Sequence, residues 1–326
     1  MVEPLRAAPA VSVVIPTCNR AHLIGDALDS VRAQTFRDFE IVVVDDGSED
    51  DTEARVHRWA AEGGDRLRYI AQPRSGGNAA RNAGILVATG RYIAFLDSDD
   101  VWAPGKLERQ MALILARPEH RAVYCGLREI DTRGGPPLRV LAGSWPEGDL
   151  SRRLLVRDVT APTSTYLVER VLLIEAGLFD LDLAARQDWD MWIRVAQRTK
   201  IGCVQDALVD LRQHAGPRTA SDPTRELRAH RRILEKYAPL RRAHGPRMRR
   251  EALAAFHRRA GRVHLNYMGA RGAAIRHHLT ALVLWPLAAD GWAALLGPLL
   301  PTYLRGLLRQ RWNAIFEGTA LAIRSH

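Results

Sequence analysis

The first hundred residues alternate short apolar runs with segments in which apolar side chains recur at helical spacing. This spacing of three and four residues occurs over 23–31, 54–59 and 79–88. The apolar runs have the composition of buried strands and lie at Val11–Ile15, Glu40–Asp45, Leu67–Ile70 and Arg91–Leu96. Strands that alternate with helices predict a parallel α/β sheet, in which ligands bind beyond the carboxyl ends of the strands.

The remainder of the chain is less regular and then becomes helical. Strands are predicted at Val123–Cys125, Thr165–Val168 and Val204–Leu211, and a helix at Asp188–Gln197. From about Gly216 the pattern is helical and rich in arginine. The sequence therefore predicts a tail over 1–10, an α/β domain over 11–215 and a helical region over 216–326.

Composition excludes several classes of protein. With 47% hydrophobic and 26% charged residues, the 326-residue chain is globular rather than collagen-like or disordered. Its cysteines, Cys18, Cys125 and Cys203, form no CxxC pair, which excludes a thiolate zinc site and favours a reducing compartment. No apolar run predicts a membrane-spanning helix, and none before Val11 predicts a cleaved signal peptide.

Basic charge is concentrated late in the chain. The net charge is +10, and residues 241–280 hold ten arginines but one acid, Glu251. Such an excess indicates nucleic acid, anionic lipid or a phosphorylated substrate as a partner, or a solvated helical face. Tryptophans then lie among leucines over 281–300. We expect helices on an anionic membrane surface there, with a packed helical subdomain as the alternative.

Acidic residues follow two of the predicted strands. Asp97, Asp99 and Asp100 form one cluster, and their mutual repulsion would be relieved by a divalent cation such as Mg²⁺ or Mn²⁺. The alternative is an acidic turn before a helix. Asp45 and Asp46 end the other strand, where a carboxylate can accept hydrogen bonds from a base or ribose, or form an ordinary Asp-Gly turn.

Two further segments carry candidate chemistry. The glycine-rich stretch Ser75–Gly84 leads into a helix, so its amides and Arg81 could meet a diphosphate, or it is a small-residue packing segment. The dinucleotide pattern GxGxxG and the P-loop pattern GxxxxGK are both absent. Asp188 and Asp190 open a helix two positions apart and cannot share one face. One can cap the helix while the other points into a site as a general base, or the acids are N-terminal residues that the helix dipole favours.

Four blocks in order give these segments a common interpretation. Residues 11–20, 34–48, 76–84 and 90–100 resemble family 2 glycosyltransferases with the GT-A fold, and the resemblance extends over about 10–215. It implies a Rossmann-like, mainly parallel sheet flanked by helices, with a C-terminal helical extension. It also implies an inverting, metal-assisted transfer of a sugar from a nucleotide-diphosphate sugar.

The resemblance assigns roles to individual residues. The implied donor site has Pro16 and Thr17 at the base, Asp45 and Asp46 at the uracil and ribose, Arg81 at the diphosphate, and Asn19, Arg20, Asn78, Asp97 and Ser98 beside them. The implied metal ligands are Asp97, Asp99, its neighbour Asp100, and His214, which is alternatively a surface histidine. Asp188 matches the catalytic base of the family's ED motif, although Gln187 stands where the family usually has Glu.

The leading interpretation is an enzyme at the inner face of the cytoplasmic membrane. Its donor would be a nucleotide sugar, most often a UDP-sugar in this family, and its acceptor a lipid-linked glycan or lipopolysaccharide. A non-catalytic nucleotide-sugar-binding scaffold on the same fold is one alternative. A basic nucleic-acid-binding protein is another, but the sequence contains no recognised nucleic-acid module, so no nucleic-acid partner is expected.

Overall fold

The computed structural model describes residues 8–63, 66–213 and 222–286. The chain divides into two compact units, Met1–Leu154 with Asp158–Thr219, and Leu155–Arg157 with Ala220–His326. Residues 287–326, which include most of the predicted membrane-surface segment, lie outside the described residues, as does His214. Within the described part of the chain, the helices are all too short or too polar to cross a membrane.

The first unit is built on one mixed sheet. Its strands are β1 Val11–Thr17, β2 Phe39–Asp46, β3 Leu67–Gln72, β4 Tyr92–Phe95, β5 Val101–Trp102, β6 His120–Asp131, β7 Arg139–Leu141, β8 Leu167–Glu169 and β9 Lys200–Gln213. Their order is β3-β2-β1-β4-β8-β6-β9-β5, and β7 pairs with β6. The four strands predicted in the first hundred residues are all present and run parallel to one another.

Parallel pairing aligns the carboxyl ends of the first strands. All seven residues of β1 are buried between β2 and β4, as its continuous apolar sequence requires. In the register of β1 and β2, Thr17 is opposite Asp45. Strand β4 ends at Phe95, so Asp97 follows it at the same edge of the sheet. The candidate polar residues are therefore gathered at one edge.

Helices connect and cover the strands. Their bounds are α1 Ile24–Arg32, α2 Thr52–Ala61, α3 Gly77–Val87, α4 Lys106–Ala116, α5 Ser151–Val156, α6 Arg170–Glu175, α7 Gln187–Ala196, α8 Pro223–Lys236, α9 Ala238–Ala243, α10 Pro246–Asn266 and α11 Arg271–Leu284. Helix α3 approaches β1 so closely that a Cβ on Gly84 would overlap the side chain of Val14. This close packing fixes the position of α3 over the sheet.

The second unit is helical, as the sequence predicts from about Gly216. Asp222 caps α8 by accepting from the backbone N–H groups of Thr224 (2.8 Å) and Arg225 (3.2 Å). Helices α10 and α11 approach at Gly261, where a Cβ would lie 2.6 Å from the ring of His278. A small apolar core stabilises the unit: Leu234, Ala252, Phe256 and Ala260.

Candidate active site

The carboxyl end of β1 is buried at the centre of the sheet edge. Pro16 pairs with Val44 of β2, and Thr17 is 3% exposed. The Thr17 hydroxyl is buried and has no hydrogen-bond partner among the described residues. A buried hydroxyl without a partner is costly, so this atom is available to a ligand at the edge.

Asp46, at the end of β2, organises the glycine-rich loop. Its Oδ1 accepts from Gln72 Nε2 and from the backbone N–H of Ser75, each over 2.7 Å. Its Oδ2 accepts from the N–H of Gly76, also over 2.7 Å. Gly76 has a φ of +93°, a conformation that glycine adopts without strain. The carboxylate that the resemblance places at the nucleotide thus ties β2 to the start of α3.

Asp45 and the residues after β1 form a second set of contacts. Asp45 accepts from the Ser48 N–H and from the Tyr69 hydroxyl, each over 2.7 Å. Burial, together with this bond and the aspartate charge, raises the pKa of Tyr69. Asn19, at a φ of +53°, accepts from the Glu49 N–H over 2.8 Å, and its own N–H donates to Ser48 Oγ over 2.8 Å.

Arg20 lies in the same loop crossing. Its backbone N–H donates to Thr52 Oγ1 over 3.0 Å, at the first residue of α2. Asn19 and Arg20 therefore join the loop after β1 to the loop after β2. This gives both residues an architectural role beside the sheet edge, in addition to the donor-site role that the resemblance implies.

Arg81 and Asp97 form an ion pair at this edge. Arg81 Nη2 donates to Asp97 Oδ1 over 2.5 Å, and the Arg81 side chain is only 9% exposed. The guanidinium lies 5.8 Å from the ring centre of Phe179. Its Nε is buried and has no acceptor among the described residues. The pair therefore retains an unused donor that a diphosphate oxygen could accept from.

The acidic cluster after β4 divides between interior and edge. Asp100 is 4% exposed, and its oxygens accept from the Ser164 hydroxyl (2.6 Å) and the Arg212 N–H (3.3 Å). Burial and the charges of Asp99 and Asp97 raise its pKa. Ser98 is also buried. The carboxylates that remain at the edge are those of Asp97, whose side chain is 32% exposed, and the half-buried Asp99.

These residues fit a divalent cation that is shared with a ligand. Within the described ranges, no group of three or more His, Cys, Asp or Glu side chains could hold a metal by itself. Mg²⁺ is commonly held by one or two carboxylates together with substrate phosphates. Asp97 and Asp99 supply such a pair, whereas both oxygens of Asp100 already accept hydrogen bonds within the protein.

Helix α3 also fixes the segment that leads to α7. Asn78 Nδ2 donates to the carbonyl oxygens of Asp180 (2.8 Å) and Leu183 (3.0 Å). Asn82, one turn later, exchanges two hydrogen bonds with the backbone of Phe179, of 2.9 and 2.8 Å. The amide of Asn78, which the resemblance places at the donor, therefore anchors residues 179–183. This anchor joins the glycine-rich region to the approach of α7.

Of the two acids that open α7, one is structural and the other belongs to the edge. Asp190 is fully buried, and its Oδ2 accepts from Arg194 Nη2 over 2.7 Å. Asp188 is half-buried. Burial raises the pKa of Asp188, and the charge of Asp97 raises it further. The N–H of Trp189 and the charges of Arg186 and Arg81 lower this pKa, but the net shift is upward. Asp188 thus lies within electrostatic range of the Arg81–Asp97 pair.

The structure adds two residues that the sequence reasoning missed. Asp158 follows α5 and is an exposed residue, yet partial loss of hydration at its carboxyl group and the charge of Asp188 raise its pKa to about 7. The charge of Arg186, which acts on both carboxyls, opposes this rise. Arg186 has a φ of +56°, and its buried Nε has no partner among the described residues. Neither lies in a motif, so the sequence contains no local signal for them.

A parallel sheet edge with an arginine–aspartate pair and adjoining carboxylates is the place where α/β proteins of this class bind their ligands. Residues 12–169 match the family described as Glycosyl transferase family 2. A glycosyltransferase of Rickettsia prowazekii, named as uncharacterized, is 33% identical over 217 residues, which cover 65% of this chain and 66% of that protein. The chain belongs to glycosyl transferase family 2, as the resemblance implies.

Other relatives differ in length and in the activity their names state. This chain covers between 30% and 66% of the length of the rickettsial relatives that it matches. The Escherichia coli protein UDP-Glc:alpha-D-GlcNAc-diphosphoundecaprenol beta-1,3-glucosyltransferase WfgD is 28% identical over 195 residues, covering 60% of this chain and 72% of that protein.

Solved structures confirm the fold. Staphylococcus aureus TarS 1–349, in complex with UDP-GlcNAc, has a TM-score of 0.65 and 21% identity, over 84% of this chain and 81% of that one. The mannosyltransferase PcManGT of Pyrobaculum calidifontis, in complex with GDP-Man and Mn²⁺, has a TM-score of 0.57 and 21% identity. The match covers 98% of this chain and 89% of that one. The predicted GT-A-like α/β fold with C-terminal helices is therefore confirmed.

Proposed function

We propose that this protein is an inverting glycosyltransferase that moves a sugar from a nucleotide-diphosphate sugar to an acceptor hydroxyl. The observation that carries the proposal is the gathering of Arg81, Asp97 and Asp188 at one sheet edge, although they are far apart in sequence. A single displacement needs a positive group beside the leaving diphosphate and a base beside the acceptor hydroxyl. Arg81 and Asp188 are the candidates for these two roles. Residues 11–215 would carry this chemistry.

In the proposed reaction, the acceptor oxygen bonds to the anomeric carbon as the bond from that carbon to the diphosphate oxygen breaks. The hydroxyl proton passes to the carboxylate of Asp188, whose raised pKa makes it a better base than an ordinary aspartate. Arg81 donates to the diphosphate and favours the negative charge that it gains. Attack opposite to the leaving group inverts the anomeric centre.

A divalent cation, when bound, neutralises charge on the departing diphosphate as a Lewis acid. Asp97 and Asp99 are the residues that would hold it, with Mn²⁺ or Mg²⁺ as the candidate ions. The proposed donor site also includes Thr17, whose buried hydroxyl has no partner within the described part of the chain. Asp45 and Asp46 would act at the base and ribose end, with the loop that Asp46 orders.

The proposed acceptor is a lipid-linked or cell-surface glycan. The printed name of the Escherichia coli relative describes transfer to a diphosphoundecaprenol-linked sugar, and this supports an acceptor of that class. Donors in complex with the structural neighbours are UDP-GlcNAc and GDP-Man. The basic region 216–326 would associate peripherally with the inner face of the cytoplasmic membrane, and cosedimentation with anionic rather than neutral vesicles tests this association.

The test of the activity combines donor binding with transfer. Thermal shift with UDP-, GDP- and dTDP-sugars, with and without Mn²⁺, should identify one donor that stabilises the protein in a metal-dependent way. Asp99→Asn should remove the metal dependence. Asp188→Asn should retain donor binding but lower the transfer rate by about 10²- to 10⁴-fold. Glu62→Gln, an equivalent change at an exposed residue after α2, should leave both unchanged.

Three results would contradict the proposal in different ways. Donor binding without transfer to any glycan acceptor would indicate a nucleotide-sugar-binding scaffold. Full transfer activity in Asp188→Asn would mean that another group takes the proton. If no nucleotide or nucleotide sugar stabilised a folded sample, the proposed donor site would be contradicted.

A further inference from the structure

The helical unit contains a cavity of about 470 Å³ that the sugar-transfer chemistry does not use. We call it the α8–α10 cavity, and helix α11 also contributes to its wall. The polar residues that line it are Arg228, Arg231, Arg232, Glu235, His264 and His277. Its volume lies in the range of small-ligand pockets and is many times the share of one water molecule.

Positive charge dominates the α8 wall of this cavity. Arg228, Arg231 and Arg232 are spaced three and four residues apart, so they project from one face of the helix. Like charges at this spacing repel one another, and Glu235 is the one carboxylate that lines the cavity. The nearest Asp222–Arg228 oxygen–nitrogen distance is 3.6 Å, between two exposed side chains, and such a pair offsets little of the repulsion.

Histidines from α10 and α11 complete the polar lining. The Nδ1 atoms of His257 and His277 are 2.9 Å apart, so one must donate to the other. The rings of His264 and His277 stack with centres 5.1 Å apart. Burial lowers the pKa of His277, and neighbouring positive charge adds to the effect; the groups responsible are His257, His264, His278 and Arg276. Burial and the neighbouring positive charge therefore both disfavour protonation of His277.

Two kinds of positive charge therefore surround the α8–α10 cavity. The three arginines lie on its α8 wall, and Arg276 adds to the burial that lowers the pKa of His277. A metal ion would add to this positive charge. Among the helices that the structure describes, no histidine cluster has the arrangement of a metal site. An anion would instead relieve the repulsion, accept from the arginines and favour protonation of the histidines.

We propose that the α8–α10 cavity binds a phosphate or diphosphate group. Arginine side chains match phosphate oxygens in geometry. The three arginines are exposed at the mouth of this pocket, and the limited volume behind them favours a compact anion over an extended one. The group can belong to a soluble phosphate compound or to the headgroup of a lipid. No residue of the first unit enters this argument, so it stands independently of the proposed sugar transfer.

The direct test measures binding of inorganic pyrophosphate to the full chain by calorimetry. The triple variant Arg228→Gln/Arg231→Gln/Arg232→Gln should weaken binding by about tenfold or more. The matched control Arg242→Gln/Arg249→Gln/Arg250→Gln removes the same charge from exposed positions outside the cavity and should change it by less than about twofold. Pyrophosphate that binds at the sheet edge instead would affect both triple variants equally, and that result overturns the proposal.

A single variant guards against loss of folding in the triple variant. Glu235→Gln removes the one carboxylate of the cavity lining from an exposed position, so it should tighten pyrophosphate binding about threefold. Unchanged affinity in Glu235→Gln would contradict the proposal. A gain in affinity cannot arise from unfolding.

The histidines give a second readout, which uses sulfate because its charge is constant above pH 5. Anion binding should raise the pKa of His277 and its neighbours, so the complex should take up protons and sulfate affinity should rise from pH 8 to pH 6. Calorimetry in two buffers of different ionisation enthalpy counts these protons. His277→Gln should reduce the count while the arginines still bind. Binding without proton uptake would place the anion elsewhere.

Vesicles then distinguish the two sources of the group. If the group belongs to a lipid, phosphatidylglycerol vesicles should bind the parent more strongly than the triple variant, and pyrophosphate should compete. If the source is soluble, pyrophosphate binds as above while vesicle binding is equal in the two proteins. If duplex DNA binds the parent but not the triple variant, and pyrophosphate binds neither, the proposal is overturned in favour of a nucleic-acid partner.

Discussion

Arg81 donates to Asp97 over 2.5 Å, from the helix after the glycine-rich loop to the turn after β4. The guanidinium is buried, whereas the carboxylate is partly exposed. The Asp97 carboxylate therefore lies nearer to solvent than the Arg81 guanidinium. On the proposed function, a diphosphate at this edge would meet the Asp97 carboxylate as well as the Arg81 guanidinium, and a divalent cation would relieve the repulsion between the two anions.

The first prediction concerns this ion pair. Arg81→Gln leaves Asp97 without its charged partner, so the free energy of unfolding should fall by about 1.5–3 kcal/mol, and binding of the nucleotide donor should weaken more than tenfold. Urea denaturation and donor titration measure the two effects. Arg91→Gln is the control, because Arg91 is exposed and its partner Glu169 keeps a second ion pair with Arg121, so the change should cost about 1 kcal/mol or less. Equal losses in the two variants would contradict the prediction.

The second prediction concerns the carboxylate that orders the glycine-rich loop. Asp46→Asn replaces an acceptor of three hydrogen bonds by a group with one acceptor oxygen, and its amide faces a backbone donor. The variant should lose about 1–3 kcal/mol of stability and expose the N–H of Gly76 to faster hydrogen exchange. Asp38→Asn, at an exposed carboxylate that accepts from the Ala10 N–H, should change neither quantity by as much.

The third prediction is a pH dependence set by Asp158. Its pKa of about 7 in the folded protein lies above the ordinary value of about 3.9, so folding favours the protonated form. The resulting stabilisation is complete below about pH 4 and is lost as the pH rises through about 7. Asp158→Asn should therefore gain stability relative to the parent between pH 5 and pH 8.

Asp149 provides a control of opposite sign for this pH dependence. Hydrogen bonds from the Ser151 hydroxyl and N–H lower the pKa of Asp149. Its contribution is present above the ordinary aspartate pKa and is lost in acid, so Asp149→Asn should not gain stability between pH 5 and pH 8. Thermal melts of the three proteins at both pH values measure the difference. Parallel pH profiles for the parent and Asp158→Asn would contradict the assignment.

The fourth prediction concerns the close contact of α3 with β1. In Gly84→Ala the new Cβ would overlap the side chain of Val14, and overpacking of this kind costs about 1–3 kcal/mol. Adding Val14→Ala should recover part of that loss, which a double-mutant cycle would measure as coupling. Gly272→Ala, in α11, meets only the end of the Arg276 side chain at 3.8 Å and should be neutral or stabilising.

How much of the site the sequence predicts depends on the kind of signal. Thr17, Asp45 and Asp97 follow apolar runs, and parallel pairing brings strand ends together, so their gathering at one edge is predictable. Asp46 and Asn78 were predicted as donor residues, but periodicity gives no information on which backbone groups a side chain contacts. The structure places their hydrogen bonds within the loop and segment that surround the edge.

Long-range pairings were not predictable in the same way. The parallel pairing of β6 with β9 joins Tyr124 to Cys203, and nothing in the apolar pattern of either strand names its partner. Asp158 lies in an irregular segment, so the effect of the Asp188 charge on its pKa depends entirely on tertiary structure. In the helical region the composition predicted an anionic partner, whereas the cavity emerged only once three helices were packed together.

The asparagine anchors of α3 have a kinetic consequence. Asn78 and Asn82 fasten residues 179–183 to the helix that begins at the glycine-rich loop, so that loop and the approach to Asp188 are both attached to α3. Ordering of the loop by a donor would steady the base before an acceptor arrives. A transferase built in this way should follow an ordered sequential scheme, in which the nucleotide sugar enters first and the free nucleotide leaves last.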